Sequence, residues 1–273
     1  MQAKAETALL SDGAFEAIRS LLHKTVGISL GDNKQMLVIT RLKTRLDALK
    51  MRDFSEYVRL LRSPAGRAEI DHVIDALTTN KTGFFREPPH FEFLQELLRG
   101  PWRQRDEVRV WCSACSTGEE PYTIGMVAAE QRRPVRVLAT DVSRPVLSKA
   151  RNAIYDIPAG TMNEARLKHH FQAKGQSGGH QRYAINSKVR DMVSFARLNL
   201  VARWPMKGPF QLISCRNVML YFDLPTRQFL VARFHHLLEP GGYLFIGHTE
   251  TIGTEPAGYR LVQPAVYQKL GEQ

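Results

Sequence analysis

Cysteine, long apolar runs and a leader-like start are all scarce in this 273-residue sequence. Three cysteines are too few for a disulfide framework, so we expect a reducing compartment, the cytoplasm. No apolar run approaches the ~20 residues that a membrane helix needs. The first ten residues include Lys4 and Glu6 and hold no continuous apolar stretch, so we expect no secretory signal.

Acidic residues are outnumbered by basic ones. The chain has 38 Lys and Arg against 27 Asp and Glu, a formal net charge of +11. This excess suggests an anionic partner, either nucleic acid or an acidic protein surface, and composition does not choose between them. The hydrophobic fraction of 43% excludes wholesale disorder, and the length allows one large domain or two modest ones.

The first eighty residues carry apolar side chains at helical spacing, which predicts a small helical bundle. Short polar breaks separate the helices, and Asp53 is a predicted N-cap after one of them. The apolar positions are Phe15, Ile18, Leu22, Ile39, Leu42, Leu46, Leu49, Phe54, Tyr57, Val58, Leu61, Ile70, Val73, Ile74 and Leu77.

One predicted helix carries a basic stripe. At about 100° per residue, Lys34, Arg41, Arg45 and Arg52 fall within roughly 40° of one another around the helix axis. Such a stripe suits docking of acidic partners, and it is equally typical of a solvated helix face.

The pattern changes after residue 77. A polar and then aromatic segment ends in Pro88-Pro89, and strand-like runs then alternate with helical ones. The strand-like runs are 108–112, 135–139, 192–196, 210–214 and 243–246. This alternation predicts a parallel sheet with helices on both faces. Between residues 158 and 191 it is interrupted by a predicted hairpin whose turn contains Gly175, Gly178 and Gly179.

Ligands of such sheets bind beyond the carboxyl ends of the strands. The loop 113–118 lacks the Gly-x-Gly-x-x-Gly pattern of a dinucleotide site, and the carboxylates of Glu119 and Glu120 at the next helix start would repel phosphate. Asp141, after the second strand, can accept hydrogen bonds from ribose hydroxyls, although it could equally be a helix N-cap. An acid after the second strand without a phosphate grip fits S-adenosylmethionine.

Four segments resemble the signatures of the CheR family, the bacterial chemotaxis receptor glutamate methyltransferases. They are residues 77–87 (LTTNKTGFFRE), 116–122 (STGEEPY), 215–222 (CRNVMLYF) and 247–250 (GHTE), in the family's order. The resemblance implies an α/β protein. It has a helical N-terminal receptor-recognition domain (1–80), a linker contributing to the cofactor site (81–90) and a Rossmann-like class I methyltransferase domain (91–273). A small antiparallel β-subdomain (158–191) is inserted in the last of these.

The resemblance also implies the site residues. Catalytic roles fall on Arg86 and Tyr221, and contacts to the receptor substrate fall on the basic stripe. Contacts to S-adenosylmethionine and its product S-adenosylhomocysteine are expected from Asn80, Thr82, Arg86, Glu120, Asp141, Asn199, Leu200, Arg216 and Asn217. We expect a monomer that inserts into no membrane and binds no nucleic acid. The inserted hairpin could dock a receptor C-terminal tail, as it does in some family members.

Alternative functions fit the sequence less well. A nucleic-acid methyltransferase would suit the positive charge, but residues 217–220 (NVML) lack the proline-containing loop usual in amino-methylating enzymes. A binding module that has lost catalysis is opposed by the presence of every expected contact residue. Cys112, Cys115 and Cys215 are too few for a four-cysteine zinc site, and we expect no metal. Their oxidation could lower activity, although small apolar filler is the simpler role.

Overall fold

The computed structural model describes residues 10–177, 180–253 and 258–271, which divide into two compact units. Residues 10–79 together with 221–223 form the helical unit, and residues 80–220 together with 224–271 form the sheet unit. The segment 81–90, expected as a linker, therefore lies within the sheet unit. Among the helices in these ranges, none combines the length and hydropathy needed to cross a bilayer.

Four helices make up most of the helical unit, with apolar side chains at helical spacing turned inward. They are α1 (Asp12–Val26), α2 (Gln35–Ala48), α3 (Phe54–Arg62) and α4 (Arg67–Leu77). Ile18, Leu22 and Leu42 are fully buried in its core. The carboxylate of Asp53 accepts a hydrogen bond from Glu56 N at 2.9 Å, so the predicted N-cap is confirmed.

The predicted single helix carrying Lys34 to Arg52 is shorter than expected, and this part of the prediction was wrong. Helix α2 begins at Gln35 and ends at Ala48, and Lys50 follows in the left-handed region with φ of 56°. That conformation breaks helical continuity, so Arg52 lies outside the helix. The four basic residues therefore do not form one continuous helical stripe.

The sheet unit contains six helices and ten strands in the described ranges. The helices are α5 (Pro89–Arg99), α6 (Glu119–Glu130), α7 (Arg144–Asn152), α8 (Glu164–His170), α9 (Ser187–Arg190) and α10 (Leu224–Leu237). The strands are β1 (Val108–Cys112), β2 (Val135–Asp141), β3 (Ile154–Asp156), β4 (Phe171–Ser177), β5 (His180–Ile185), β6 (Val193–Arg197), β7 (Phe210–Cys215), β8 (Leu238–Ile246), β9 (Tyr259–Gln263) and β10 (Val266–Lys269).

Seven strands form the main sheet in the order β6-β2-β1-β7-β8-β10-β9. The first five strands in this order are parallel, and β10 pairs antiparallel with both β8 and β9. The chain runs outward from β1 through β2 to β6 and then returns to β7 on the other side of β1. This reversal places a crevice at the carboxyl ends of β1 and β7, where doubly wound sheets bind ligands.

Both faces of this sheet are covered by helices, as predicted. Val110 on β1 packs in a core shared with α5 and α6. The next side chain, Trp111, points the other way and contacts Trp204 and, on α10, Phe234, with ring centroids 4.8 and 5.4 Å away. The fold class expected from strand and helix alternation is confirmed.

The small second sheet is antiparallel, in the order β3-β5-β4. It begins at Ile154, whereas the sequence analysis predicted a start at residue 158. The prediction missed β3 because three residues are too few to show a strand period. Gly175, in the predicted turn, lies in β4 with φ of 86°, whereas Gly178 and Gly179 lie outside the described residues.

Candidate active site

The polar centre of the sheet unit is a buried ion-pair network at the carboxyl ends of β1 and β7. Arg216 follows β7 directly, and only 1% of its side chain is exposed. Its Nη1 donates to Glu120 Oε2 at 2.7 Å, and its Nη2 donates to Glu87 Oε2 at 3.1 Å and to the backbone carbonyl of Arg86. One guanidinium thus joins the segment before α5 to the first turn of α6.

Glu120 is held by two further donors through its other oxygen. Ser214 Oγ on β7 donates to Glu120 Oε1 at 2.6 Å, and Cys112 Sγ at the end of β1 donates at 3.3 Å. The carboxylate is therefore fixed where β1, β7 and α6 meet, at the reversal of strand order. A fixed carboxylate at that edge favours a cationic ligand group over a phosphate.

Charge and burial act against each other on these groups. Burial raises the pKa of Glu87, but the hydrogen bond from Asn217 and the charge of Arg216 outweigh burial and lower the pKa below its ordinary value. Burial likewise lowers the pKa of Arg216, and the charges of Glu120 and Glu87 raise it above its ordinary value. Glu87 and Arg216 are accordingly both ionised at neutral pH.

Asp141 ends β2 and is fixed by backbone donors. Its Oδ2 accepts from Ser116 N at 2.8 Å and its Oδ1 accepts from Ser143 N at 3.0 Å. Helix α7 begins at Arg144 with Ser143 as its N-cap, so the N-cap alternative for Asp141 is wrong. Ser116 Oγ in turn donates to Asn80 O at 2.9 Å, which ties the loop after β1 to the expected cofactor residue Asn80.

Left-handed backbone is concentrated around this network. Four non-glycine residues there have positive φ: Phe85 at 54°, Glu87 at 59°, Ser116 at 48° and Asn217 at 58°. Such conformations cost free energy and persist where surrounding contacts enforce them, and they cluster at functional sites.

Two carboxylates hold the turn after β7, and the sequence did not single out either of them. Glu87 Oε1 accepts from Asn217 Nδ2 at 3.1 Å, and Glu250 Oε2 accepts from Asn217 N at 2.8 Å. Both acids lie within segments that carry the family resemblance, but nothing in their local sequence indicates their contacts, because Glu87 and Asn217 are 130 residues apart.

Two family models and many relatives match this chain. The model of the CheR methyltransferase all-alpha domain matches residues 13–78, and the model of the CheR methyltransferase SAM binding domain matches residues 80–267. The chain belongs to the CheR methyltransferase family.

Named relatives of this family match almost the full chain. The chemotaxis protein methyltransferase of Escherichia coli is 38% identical over 96% of this chain and 92% of its own length. Chemotaxis protein methyltransferase 2 of Pseudomonas aeruginosa is 36% identical over 93% and 91%. Among solved structures, the glycopeptide N-methyltransferase MtfA complexed with SAM matches 56% of this chain and 53% of its own, at 17% identity and a TM-score of 0.34.

This CheR family chain is a methyltransferase whose cofactor is S-adenosylmethionine (SAM), and its donor set fits that cofactor. Glu120, in the first turn of α6, and Asp141, at the end of β2, are fixed carboxylates able to accept from an ammonium group and from ribose hydroxyls. Neither lies in a basic or glycine-rich phosphate cradle. Gly118 does open α6 with φ of 97°, but a Cβ there would meet Ala150 and Tyr155, so its role is in packing.

The other expected cofactor residues of this CheR chain lie in the sheet unit and differ in their exposure to solvent. Leu200 is buried, and Asn199 Oδ1 accepts from Val201 N at 3.1 Å in the turn after β6. Arg86 is exposed, and its Nη1 donates to Lys81 O at 2.8 Å. Thr82 is half-buried. No relative or contact tests these roles, which stay predictions.

The remaining expected site residues lie in the helical unit. Tyr221 O accepts from Ser29 N at 2.8 Å, and Phe222 forms a β-bridge with Ile28. Lys34 and Arg52 are exposed. Arg41 and Arg45 are engaged within the unit, which the sequence pattern did not reveal: Arg41 Nη1 donates to the carbonyls of Leu77 and Thr78, and Arg45 pairs with a buried glutamate.

The three cysteines of this CheR chain are buried. Burial raises the pKa of the Cys112, Cys115 and Cys215 thiols well above the ordinary value. Oxidation requires an accessible thiolate, so the oxidation hypothesis loses its physical basis and the packing role is favoured.

Glu87, His90 and His248 bring possible metal-binding atoms within 4.8 Å of one another. Arg216 already donates to the Glu87 oxygen that such an ion would need, and its positive charge opposes a second cation there. The expectation of no metal stays a prediction.

Proposed function

We propose that the protein transfers a methyl group from SAM to glutamate side chains of chemotaxis receptors and forms glutamate methyl esters. The observation that carries this proposal is similarity along nearly the whole chain to chemotaxis protein methyltransferases, across both the all-alpha and the SAM binding domains. The product is S-adenosylhomocysteine, and the enzyme acts in the cytoplasm as a monomer.

The chemistry needs no strong general base. A glutamate side chain with pKa near ~4.3 is already ionised at neutral pH. SAM supplies an activated sulfonium methyl group. Because a cation and an anion become a neutral thioether and a neutral ester, alignment and a water-poor site carry most of the catalysis. The buried ion pairs of Arg216 with Glu87 and Glu120 provide fixed charges in such a site.

Roles for individual residues follow from their chemistry. Glu120 binds the ammonium group of the cofactor and Asp141 its ribose, while Asn80, Thr82, Arg216 and Asn217 complete the polar contacts. Asn199 and Leu200, in the turn after β6, frame the adenine. Arg86 is exposed, and its guanidinium can donate two parallel hydrogen bonds to a carboxylate. Tyr221 orients the substrate carboxylate through its hydroxyl.

Receptor binding is assigned to the basic residues of the helical unit. Lys34, Arg41, Arg45 and Arg52 form the proposed surface for acidic receptor stalks. Because Arg41 and Arg45 also stabilise the helical unit, Lys34→Glu with Arg52→Glu is the informative pair. We expect this pair to lower receptor methylation and to leave cofactor affinity unchanged. Unchanged methylation would remove Lys34 and Arg52 from the surface.

The small sheet is proposed to dock a receptor tail. Strands β3 and β4 are its edges, and an edge strand can accept an extended peptide. Titration with receptor tail peptides tests this, and a peptide without effect on binding or activity would contradict it.

The experiment for the whole proposal is transfer of label from tritiated SAM to separate acceptors. We expect label in receptor signalling domains and none in DNA or RNA. Asp141→Ala and Arg86→Ala should each lower the rate, and Glu239→Gln, at the far end of β8, serves as the control. Transfer to nucleic acid alone would contradict the proposal.

A further inference from the structure

Glu250 bridges the two loops that follow β7 and β8. Its Oε2 accepts from Asn217 N at 2.8 Å and from Gly247 N at 2.5 Å, and its Oε1 accepts from Leu220 N at 3.1 Å. Three backbone N–H groups from two loops therefore converge on one side chain. Glu250 N donates to Gly247 O at 2.9 Å, and this tight turn brings the carboxylate over Gly247.

Only an ionised carboxylate satisfies all three donors. It offers two acceptor oxygens and a full negative charge, which strengthens bonds from N–H groups. A glutamine would keep one acceptor oxygen and place an NH₂ donor at the other position, against an N–H group. An aspartate keeps the charge but is shorter by one methylene.

Gly247 has no side chain, which leaves space for the Glu250 carboxylate and its three N–H donors. A Cβ on Gly247 would lie 2.4 Å from Asn217 Nδ2 and 2.8 Å from Glu250 Oε2. A methyl group there would have to displace the Glu250 carboxylate and the Asn217 amide, because both contacts would be shorter than 3.0 Å. The bonds of the Glu250 carboxylate therefore depend on glycine at position 247.

The bond to Asn217 matters because that residue is held in a left-handed conformation, with φ of 58°. Asparagine tolerates this conformation better than most residues, and contacts that fix it lower the remaining cost. Glu250 fixes its backbone N–H, and Glu87 fixes its side-chain amide.

We propose that Glu250 is a positioning residue that sets the backbone of the Arg216-Asn217 turn and thereby preorganises the cofactor site. The proposal rests on the cofactor-binding role proposed above for Asn217. Glu250 acts through the turn and needs no contact with the cofactor or the substrate.

The test is a double-mutant cycle on affinity for S-adenosylhomocysteine, measured by calorimetry. Glu250→Gln should weaken binding about tenfold, the effect of one or two unsatisfied N–H groups in the turn. Asn217→Ala should weaken the parent's binding about tenfold too, but should change the Glu250→Gln variant less than about twofold, because the turn is already displaced. Gly247→Ala should reproduce the Glu250→Gln effect.

Glu239→Gln is the matched control. Glu239 lies at the start of β8, is 15% exposed and accepts from Gln211 Nε2 at 2.6 Å, so it is a paired carboxylate at the opposite end of the same strand. Its variant should bind as the parent does. Amide hydrogen exchange gives a second readout: Asn217, Leu220 and Gly247 N–H groups should lose protection in Glu250→Gln, and amides of β1 should keep theirs.

Additive effects in the cycle, or unchanged affinity and protection in Glu250→Gln, would overturn the proposal. Loss of protection throughout the sheet unit would also overturn it, since Glu250 would then be a general stability residue. Failure of the proposed function is distinguishable, because a parent that binds S-adenosylhomocysteine but methylates no receptor still allows the cycle to be measured. If the parent bound no S-adenosylhomocysteine, both the proposed function and the role of Glu250 would be overturned.

Discussion

Arg216 carries a buried positive charge between two carboxylates. With 1% of its side chain exposed, it forms ion pairs with Glu87 and Glu120, which are themselves 16% and 13% exposed. Such an arrangement gives specificity rather than large net stability, because desolvation offsets much of the attraction. Removal of one partner has a different consequence, since it leaves buried charge uncompensated.

We therefore expect Arg216→Ala to destabilise the sheet unit by about 3–5 kcal/mol and to abolish cofactor binding. Urea denaturation gives the free energy of unfolding, and calorimetry gives the affinity. Arg109→Ala, a more exposed arginine on β1, is the control and should change stability by about 0.5 kcal/mol or less. Full affinity and stability in Arg216→Ala would contradict the description of the network.

The buried residue His90 makes the free energy of unfolding depend on pH. Burial, with help from the charge of Arg216, lowers its pKa to about 4, while Glu120 and Glu87 face it with opposite charge and His248 stacks nearby. The folded state keeps His90 neutral, and the unfolded state takes up a proton below about pH 6.5. Unfolding therefore binds protons, and stability falls as the pH falls from 6.5 toward 4.

Between pH 7 and 5.5 this linkage lowers the free energy of unfolding by about 1 kcal/mol. His90→Leu should lose that part of the pH dependence, whereas His236→Gln, at an exposed histidine, should retain it. Denaturation at the two pH values measures the difference. Equal pH dependence in the parent and in His90→Leu would contradict the assignment.

Glu120 and Asp141 were predictable as site residues because Asp141 ends a strand and Glu120 lies in the first turn of the helix after another strand, and these elements are recognisable from the sequence. The roles of Glu87 and Glu250 were not, since they arise from loops that the strand order brings together. Asparagine is enriched at positive φ, but the sequence does not show that Glu87 and Glu250 hold Asn217 in that conformation.

Among the elements, helix α2 shows that basic residues predicted to bind a partner can instead stabilise the fold through internal ion pairs. Arg45 Nε and Nη2 donate to Glu69 on α4 at 2.9 and 2.7 Å, and the Tyr57 hydroxyl donates to the same carboxylate at 2.7 Å. Burial raises the pKa of Glu69, but the bonds from Arg45 and Tyr57 outweigh burial and lower it below its ordinary value. The contribution to stability is present at neutral pH and is lost as the pH falls through that lowered pKa.

Arg45→Glu should destabilise the helical unit by about 3 kcal/mol or more, because it places a second negative charge beside a buried carboxylate. Circular dichroism during denaturation at pH 7 measures this. Arg52→Glu is the control and should change stability by about 0.5 kcal/mol or less. Equal stability in both variants would show that the Arg45 pair is unimportant.

The elements themselves were predicted well where the apolar period is long. Strands β1, β2 and β7 and helices α1 and α3 fall close to their expected positions. The period does not show the end of α2, which depends on one left-handed residue, or strand β3, which has three residues.

At the scale of the whole molecule, the +11 charge suits the proposed acidic receptor surface. Ion pairs such as Arg45 with Glu69 leave this excess unchanged, and exposed residues such as Lys34 and Arg52 contribute to it. Composition indicated an anionic partner but could not identify it. The family models that match both units favour a receptor protein as that partner.

The most direct test of the account is the chemical identity of the methylated group. After incubation with SAM and a panel of receptor signalling domains, peptide mass spectrometry should find one added methyl mass on glutamate side chains. Mild base should remove it, as expected for an ester. A base-stable methyl group, or modification at lysine, arginine or a nucleic-acid base instead, would contradict the central claim.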